Sequence, residues 1–325
     1  MVTVSYICTL FERFGMINFH QYGSKWRHNV QKVYTYGLFW LFVVRGSCQC
    51  YNVVTRATRY LPELIQVLLE MTILAFIIYI AYFFQKGHEQ LTFLSHFMDN
   101  VFSKADRSII QKCHRYSNMA CLAFFAAVSL AVVGSFLETF IPLSKSELDI
   151  RRKVYRTKYP ERRLPYNMRI PFVDESESWA YETIYVIDMI VMFYFIWWVS
   201  LSVSLVPVMI IHVKGQYEIL CKYICIVGKP HADSYGNNIF YSNIVRNECY
   251  IKLYTAPRGK KKLISRTERL LRRKKYEQNY LRQIIEFHKH LVTFQKKVSD
   301  ELFFFQVIFK HFNFILFKQL YLYKI

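Results

Sequence analysis

Three apolar stretches, residues 61–84, 118–143 and 179–212, limit what this chain can fold into. Crossing the hydrocarbon core of a bilayer takes roughly 20 mostly apolar residues at a helical rise of about 1.5 Å. Each stretch meets that length. A backbone in lipid has to satisfy its own hydrogen bonds, and a helix does so within one segment. The expected fold class is therefore all-α: a polytopic helical membrane protein with long helices extending into the cytoplasm. Two weaker stretches join the list. Residues 33–51 contain Arg45, and residues 302–320 are interrupted by Gln306, Lys310, His311 and Asn313. Within the fourth stretch, Trp179 and the Trp197–Trp198 pair are spaced to mark two interfacial belts roughly 28 Å apart along a helix, unless the pair packs against other helices.

The charge supports this reading and excludes another. A net charge of +20 suits a nucleic-acid binder, but no zinc-finger, RRM or helix-turn-helix pattern accompanies it. The basic residues sit between the apolar stretches, as they do in membrane proteins. Loops on the N-terminal side carry 28 Lys and Arg against 11 on the other, which places the N-terminus and 213–300 in the cytoplasm. Most of that margin comes from 213–300, a loop long enough to obey the rule poorly. Without it, the counts are nine against eleven and the direction is open. The eight cysteines form no disulfide framework. Cys221 and Cys225 lie four residues apart, the spacing of one helix face rather than of a metal site. No signal peptide is read at the N-terminus. No His-Glu-x-x-His, Gly-x-Ser-x-Gly or phosphate-binding loop is present, so neither an enzyme nor a cofactor is expected.

The interval 213–300 reads as a cytoplasmic helical segment. Residues 258–275 hold ten Lys and Arg and one acid, Glu268, a run suited to anionic headgroups or to a solvated face. Apolar residues then recur at Leu281, Ile284, Ile285, Leu291, Val292 and Val298, with His288 beside them. No Pro or Gly interrupts the pattern, which predicts one long helix over about 266–320.

The order of these parts resembles the insect odorant receptors. A basic N-terminus leads into a weak first span. A loop with Leu164-Pro165-Tyr166 and Pro171 precedes the long fourth span, SWAYETIYVIDMIVMFYFIWWVSLSV. HVKGQYEILCKYI follows, and then YLRQIIEFHKHLVTFQKKVSDELF with His288, Phe294 and Phe303. The resemblance implies seven helices with the N-terminus inside, in the plasma membrane. It implies a subunit that binds small volatile apolar ligands and joins a shared co-receptor in a hetero-tetrameric, odorant-gated, non-selective cation channel. A gustatory receptor of the same superfamily is the alternative, followed by a non-channel membrane receptor. The chain ends after its fifth stretch, so residues 1–325 are expected to form a single incomplete transmembrane receptor domain, short of the pore helix.

Odorants call for an apolar and aromatic pocket with a few polar groups among the outer halves of the helices. On the fourth span Tyr181, Tyr185 and Met189 recur every four residues. On the third, Gly134 and Ser135 leave room and Glu138 offers a polar contact. On the second, Leu68, Met71 and Thr72 lie at similar depth. Ionisable residues inside spans cost about 2.5–3.5 kcal/mol at the centre, so Arg45, Glu70 and Asp188 also call for a role, Asp188 by pairing across helices or by responding to a ligand, while Glu182 and Glu138 read as facing a watery vestibule or snorkelling near the span ends.

Overall fold

A computed structural model describes residues 4–16, 25–233, 235–251 and 266–322, with α8 side chains described over 270–299. The described residues form eight α-helices and one β-hairpin. In chain order these are α1 (Val4–Arg13), α2 (Lys25–Thr55), α3 (Leu61–Lys86), α4 (His88–Val101), α5 (Arg107–Glu138), α6 (Lys145–Lys153), α7 (Ser178–Cys225), β1 (Ile239–Asn243), β2 (Glu248–Ile251) and α8 (Arg266–Leu322). Helices α3, α5 and α7 are long and apolar enough to cross a membrane. They match the three principal stretches. Helix α5 stops at Glu138, short of the expected 143, because Pro142 cannot join a helix interior. Helix α7 continues through Pro207 to Cys225, beyond the expected 212. Helix α8 matches the expected long helix. The side chains of the fifth stretch, 302–320, and the first half of the basic run, 258–265, lie outside the described residues.

Although the sequence reads as one domain, the chain packs as two compact units. One comprises residues 6–92, 119–205 and 316–325. It holds most of the apolar helices and is called the membrane unit below. The other comprises residues 1–5, 93–118 and 206–315. It holds the hairpin and is called the hairpin unit.

In the membrane unit, α2 packs along α3 and buries a seam of Thr35, Leu38, Phe42, Arg45, Gln49 and Asn52, shared among α3, α7 and the loop 154–177. These residues alternate three and four apart, the spacing that keeps one face of a helix against its neighbour. Gly46 allows the approach: a Cβ there would meet Leu74 Cδ2 at 3.2 Å. The opposite faces are apolar and bare. Only 6% of the most apolar window of α5 is buried, and Leu130 on it is 72% exposed. Such a surface has lipid as its solvent. Of the two readings of the tryptophans, packing holds for the pair Trp197–Trp198. Trp198 is buried, donates from Nε1 to the Phe14 carbonyl at 2.9 Å and stacks on Phe42. Trp197 stacks on Phe14, so both rings are packing residues.

The hairpin unit is built on α8. Tyr280, Ile284, Phe287, Leu291, Phe294 and Val298 form its buried stripe, while Leu281, Ile285 and Val292 are exposed. Phe294 stacks on Phe97 and meets Phe102 edge-on. The hairpin was not foreseen in 213–300. It is tied to both helices: Tyr223 donates to the Ile244 carbonyl at 3.0 Å, and Gln283 accepts from the Ile244 amide at 2.9 Å. His231 closes this corner. Its Nε2 faces the Ile226 carbonyl at 3.1 Å, which can only accept, so Nδ1 is left to accept from the Tyr276 hydroxyl at 2.7 Å. Burial pushes the phenols of Tyr241, Tyr276 and Tyr280 up from their ordinary value. Gly215 sets the α5–α7 approach in this unit, since a Cβ there would collide with Cys113 Sγ.

Candidate functional site

The polar residues of the membrane unit gather at one end: the C-terminal half of α2, the N-terminal parts of α3 and α7, the C-terminal end of α5 and the loop 154–177. The α2 seam brings Arg45, Gln49 and Asn52 onto successive turns of one face. Arg45 Nε lies 3.5 Å from Asp188 Oδ1, with the two side chains 6% and 0% exposed. This is ion-pair range without hydrogen-bond geometry, and among the described residues neither carboxylate oxygen of Asp188 has a hydrogen-bond partner. Gln49 and Gln66 each donate to Glu70, at 3.0 and 3.1 Å. One guanidinium thus faces two carboxylates in a region lined by lipid-exposed helices. Asp188 pairs across helices as its position within a span suggested.

The loop carrying Leu164-Pro165-Tyr166 folds into this end. Tyr166 lies under Arg45, whose guanidinium carbon is 4.5 Å from the ring centroid. Asn52 donates to the Asn167 carbonyl at 3.3 Å. Met168 is buried with Ala180 and Ile184, sealed by Cys48, Leu164, Ile170 and Val173. Phe136 of α5 meets Tyr166 and Tyr185 edge-on, at centroid distances of 6.5 and 5.8 Å. Tyr181 lies 5.9 Å from Tyr185 and donates to the Arg163 carbonyl at 3.2 Å. Arg163 pairs with Glu138.

Of the nine residues proposed for the pocket, the structure brings four together: Ser135, Glu138, Tyr181 and Tyr185, on the adjoining turns of α5 and α7. The other five stand apart. Leu68 is 39% and Met189 52% exposed, and a Cβ on Gly134 would meet nothing within 4 Å. The Thr72 hydroxyl turns back to the Leu68 carbonyl at 2.8 Å, and Met71 is half-buried beside it. The reason is angular. Each step of four residues advances about 40° around a helix of 3.6 residues per turn, so Met189 has rotated well off the face of Tyr181. Glu182 is exposed. Sequence reasoning passed over Gln49, Asn52, Phe136 and Tyr166. The signal for the first two was present in their spacing from Arg45, which fixes one helix face. Phe136 and Tyr166 gain their meaning only from the loop's fold.

A cavity of about 360 Å³ opens beside this cluster, with Gln66, Glu138, Arg151, Tyr155, Arg163 and Asn167 in its walls. Its polar lining makes it an entrance of water-like character rather than an apolar pocket. Next to it Arg56 lies 3.8 Å from Glu63 and 3.9 Å from Glu175, with its guanidinium 4.0 Å above the Tyr155 ring. Burial pushes the Glu175 carboxyl and the Tyr155 phenol up, and the Arg151 guanidinium down, from their ordinary values. Among the described residues no group of three or more His, Cys, Asp or Glu is arranged to hold a metal.

Comparison with known proteins fits this architecture. The fold is similar to that of an insect olfactory receptor, OR5 from Machilis hrabei, with a TM-score of 0.57 at 12% identity. A second structure of that receptor, in complex with eugenol, gives a TM-score of 0.56 at 12% identity. In both cases 92% of this chain is covered, and the chain spans 64% of the receptor's length. Among curated protein sequences none matches. The family model described as 7tm Odorant receptor matches residues 63–317, from the start of α3 to near the end of α8. The chain belongs to the 7tm odorant receptor family, a family of membrane receptors and not of enzymes.

Proposed function

We propose that this chain is the odorant-binding part of a ligand-gated, non-selective cation channel subunit that assembles with a shared co-receptor. The observation that carries the reading is the layer of half-buried aromatic rings around a buried ion pair at one end of the membrane unit, in a chain of the odorant receptor family. Phe136, Tyr166, Tyr181 and Tyr185 supply flat apolar surface with hydroxyl handles, the mixture a small volatile ligand needs. Asp188 adds an acceptor whose two oxygens have no hydrogen-bond partner among the described residues, which favours ligands carrying one O–H or N–H donor on an apolar body. Ser135, Glu138, Tyr181 and Tyr185 are the contacts proposed from the original set. Leu68, Met71, Thr72, Gly134 and Met189 belong to the helix faces around it.

The proposed setting is the plasma membrane, with the N-terminus and 213–300 inside, supported by the distribution of Lys and Arg. The polar cavity is then the outer entrance. The test is whole-cell recording from cells expressing the complete receptor that contains this chain, with and without the co-receptor, during exposure to phenols such as eugenol and to their O-methylated analogues. The expected result is a cation current that needs both subunits and favours the free phenol. Currents that require G-protein signalling, or silence with every partner, would overturn the channel reading.

A further inference from the structure

The hairpin unit carries a groove between the start of α5 and the end of α7. It measures about 960 Å³ and is open to solvent, and Cys221 and Cys225 both stand in its wall. Both thiols are free and exposed, and their spacing of four puts them on one face of α7. Ile109, Tyr217 and Ile226 give the groove an apolar floor. Lys112, Lys214 and Lys222 border it, with Glu218 as the acid in the wall, while Asp106 pairs with Lys222. Cys221 follows the apolar stretch 179–212 by nine residues, roughly 14 Å along a helix.

We propose that Cys221 and Cys225 are a site of reversible S-acylation by a long-chain fatty acyl group, with the acyl chain lying along this groove toward the bilayer. Cysteines just beyond a membrane helix, on an amphipathic face, are the setting in which this modification occurs. An added acyl chain gains membrane affinity with each methylene it buries, and the lysines reinforce that by attracting anionic headgroups. The chemistry is a transthioesterification. The cysteine S–H bond breaks as its sulfur bonds the acyl carbon of a long-chain acyl-coenzyme A, brought by a membrane acyltransferase. The donor's C–S bond breaks, and coenzyme A leaves as the thiol with the proton, so no electrons change hands. Other cysteines of this unit lack the combination. Cys113 is buried against α7, donating to the Ile211 carbonyl, and Cys249 is exposed on β2, outside the groove.

The inference rests on the inside placement of 213–300 proposed above, so two readouts are taken from the same cells. Full-length chain with an N-terminal epitope is expressed in insect cells, free thiols are blocked, thioesters are cleaved with neutral hydroxylamine, and the released thiols receive a mass tag. The expected result is hydroxylamine-dependent tagging that falls stepwise in Cys221→Ser and Cys225→Ser, disappears in the double variant and persists in Cys249→Ser. Cys221→Ala and Cys225→Ala, checked for unchanged elution in detergent, guard against an effect of misfolding. Absence of tagging in the native chain, or full tagging in the double variant, overturns the proposal; lysines that only hold lipid headgroups would give the first result. The epitope reads orientation separately. Staining in intact cells would sink the inside placement together with the proposal, whereas staining only after permeabilisation leaves the tagging result to decide.

Discussion

Helices α2 and α8 bury stripes with the same alternation of three and four residues, yet they are opposite in chemistry. The stripe of α2 has only Leu38 and Phe42 as apolar members beside Thr35 and ends in Arg45, Gln49 and Asn52, while its outer face shows Val33, Trp40, Val44 and Val54. The stripe of α8 is Tyr280, Ile284, Phe287, Leu291, Phe294 and Val298, while its outer face carries the ion pairs Arg273–Glu277 and Arg282–Glu286. A difference of solvent, lipid against the outer face of α2 and water against that of α8, would account for the contrast. In water, apolar groups gain by leaving the surface. In lipid they gain nothing by it, and polar groups instead seek one another inside the protein. Period therefore fixes which residues are buried together. Only the medium outside decides what chemistry burial rewards.

The largest break in that comparison is expected from Arg45→Leu. It leaves Asp188 fully buried without its counter-charge, and removing one partner of a buried pair costs about 3–5 kcal/mol. Detergent-solubilised protein should melt far lower, with little receptor reaching the cell surface by biotinylation. Arg45→Leu with Asp188→Leu should recover most of the loss, because an apolar pair of similar size avoids the desolvation cost altogether. Recovery of fold without recovery of odour response would assign the pair to ligand recognition. A single variant as stable as the native chain would mean that the α2 seam is not solvated by the protein as the geometry indicates.

The matching test on α8 is Phe294→Ala, next in size. Phe294 is fully buried and contacts Phe97 and Phe102, and truncating a core Phe costs about 3 kcal/mol or somewhat more. Val292→Ala, two residues away on the exposed face, should change the melting temperature little. Equal losses at both positions would show that the exposed face of α8 is covered in the folded protein, and the contrast between the two helices would narrow.

Much of this architecture was legible from the sequence because lipid imposes a length rule. Stretches 61–84, 118–143 and 179–212 became α3, α5 and α7, and an uninterrupted pattern predicted α8. The β-hairpin was not legible. Its strands are only five and four residues long, and they are held by Gln283, Tyr223 and Tyr276 from α7 and α8, so nothing local announces them. The site divides the same way. Asp188 and Arg45 stood out as charges inside spans, but their partnership depends on which way α2 is rotated. Tyr166 lies in a loop, and no periodicity can place a loop residue under a guanidinium. In the Tyr181–Tyr185–Met189 series the third member lies off the face of the first, because a spacing of four drifts around the helix.

The smallest effect concerns two aspartates that the two media treat differently. Asp188 is fully buried and lacks hydrogen bonds, whereas Asp106 sits at the start of α5 where its Oδ1 accepts from the Ser108 and Ile109 amides at 3.0 and 3.1 Å. That is N-cap geometry, worth about 1 kcal/mol on replacement by Ala. The hydrogen bond from Lys222, then that from Ser108, holds the Asp106 carboxyl below its ordinary value of 3.8. A carboxyl lowered in the folded state binds its proton more weakly there than in the unfolded chain, so the stability it adds is complete above that ordinary value and is lost as pH falls through the depressed one. Asp106→Ala should therefore lower the melting temperature by a few degrees at neutral pH, and the gap from the native chain should close as the solution is acidified. Asp106→Asn keeps the cap and gives up only the charge toward Lys222, whose side chain is 60% exposed, so its cost should be the smaller of the two. If Asn proved as damaging as Ala, charge rather than capping would hold the start of α5. The hairpin unit would then depend on its ion pairs as much as the membrane unit does.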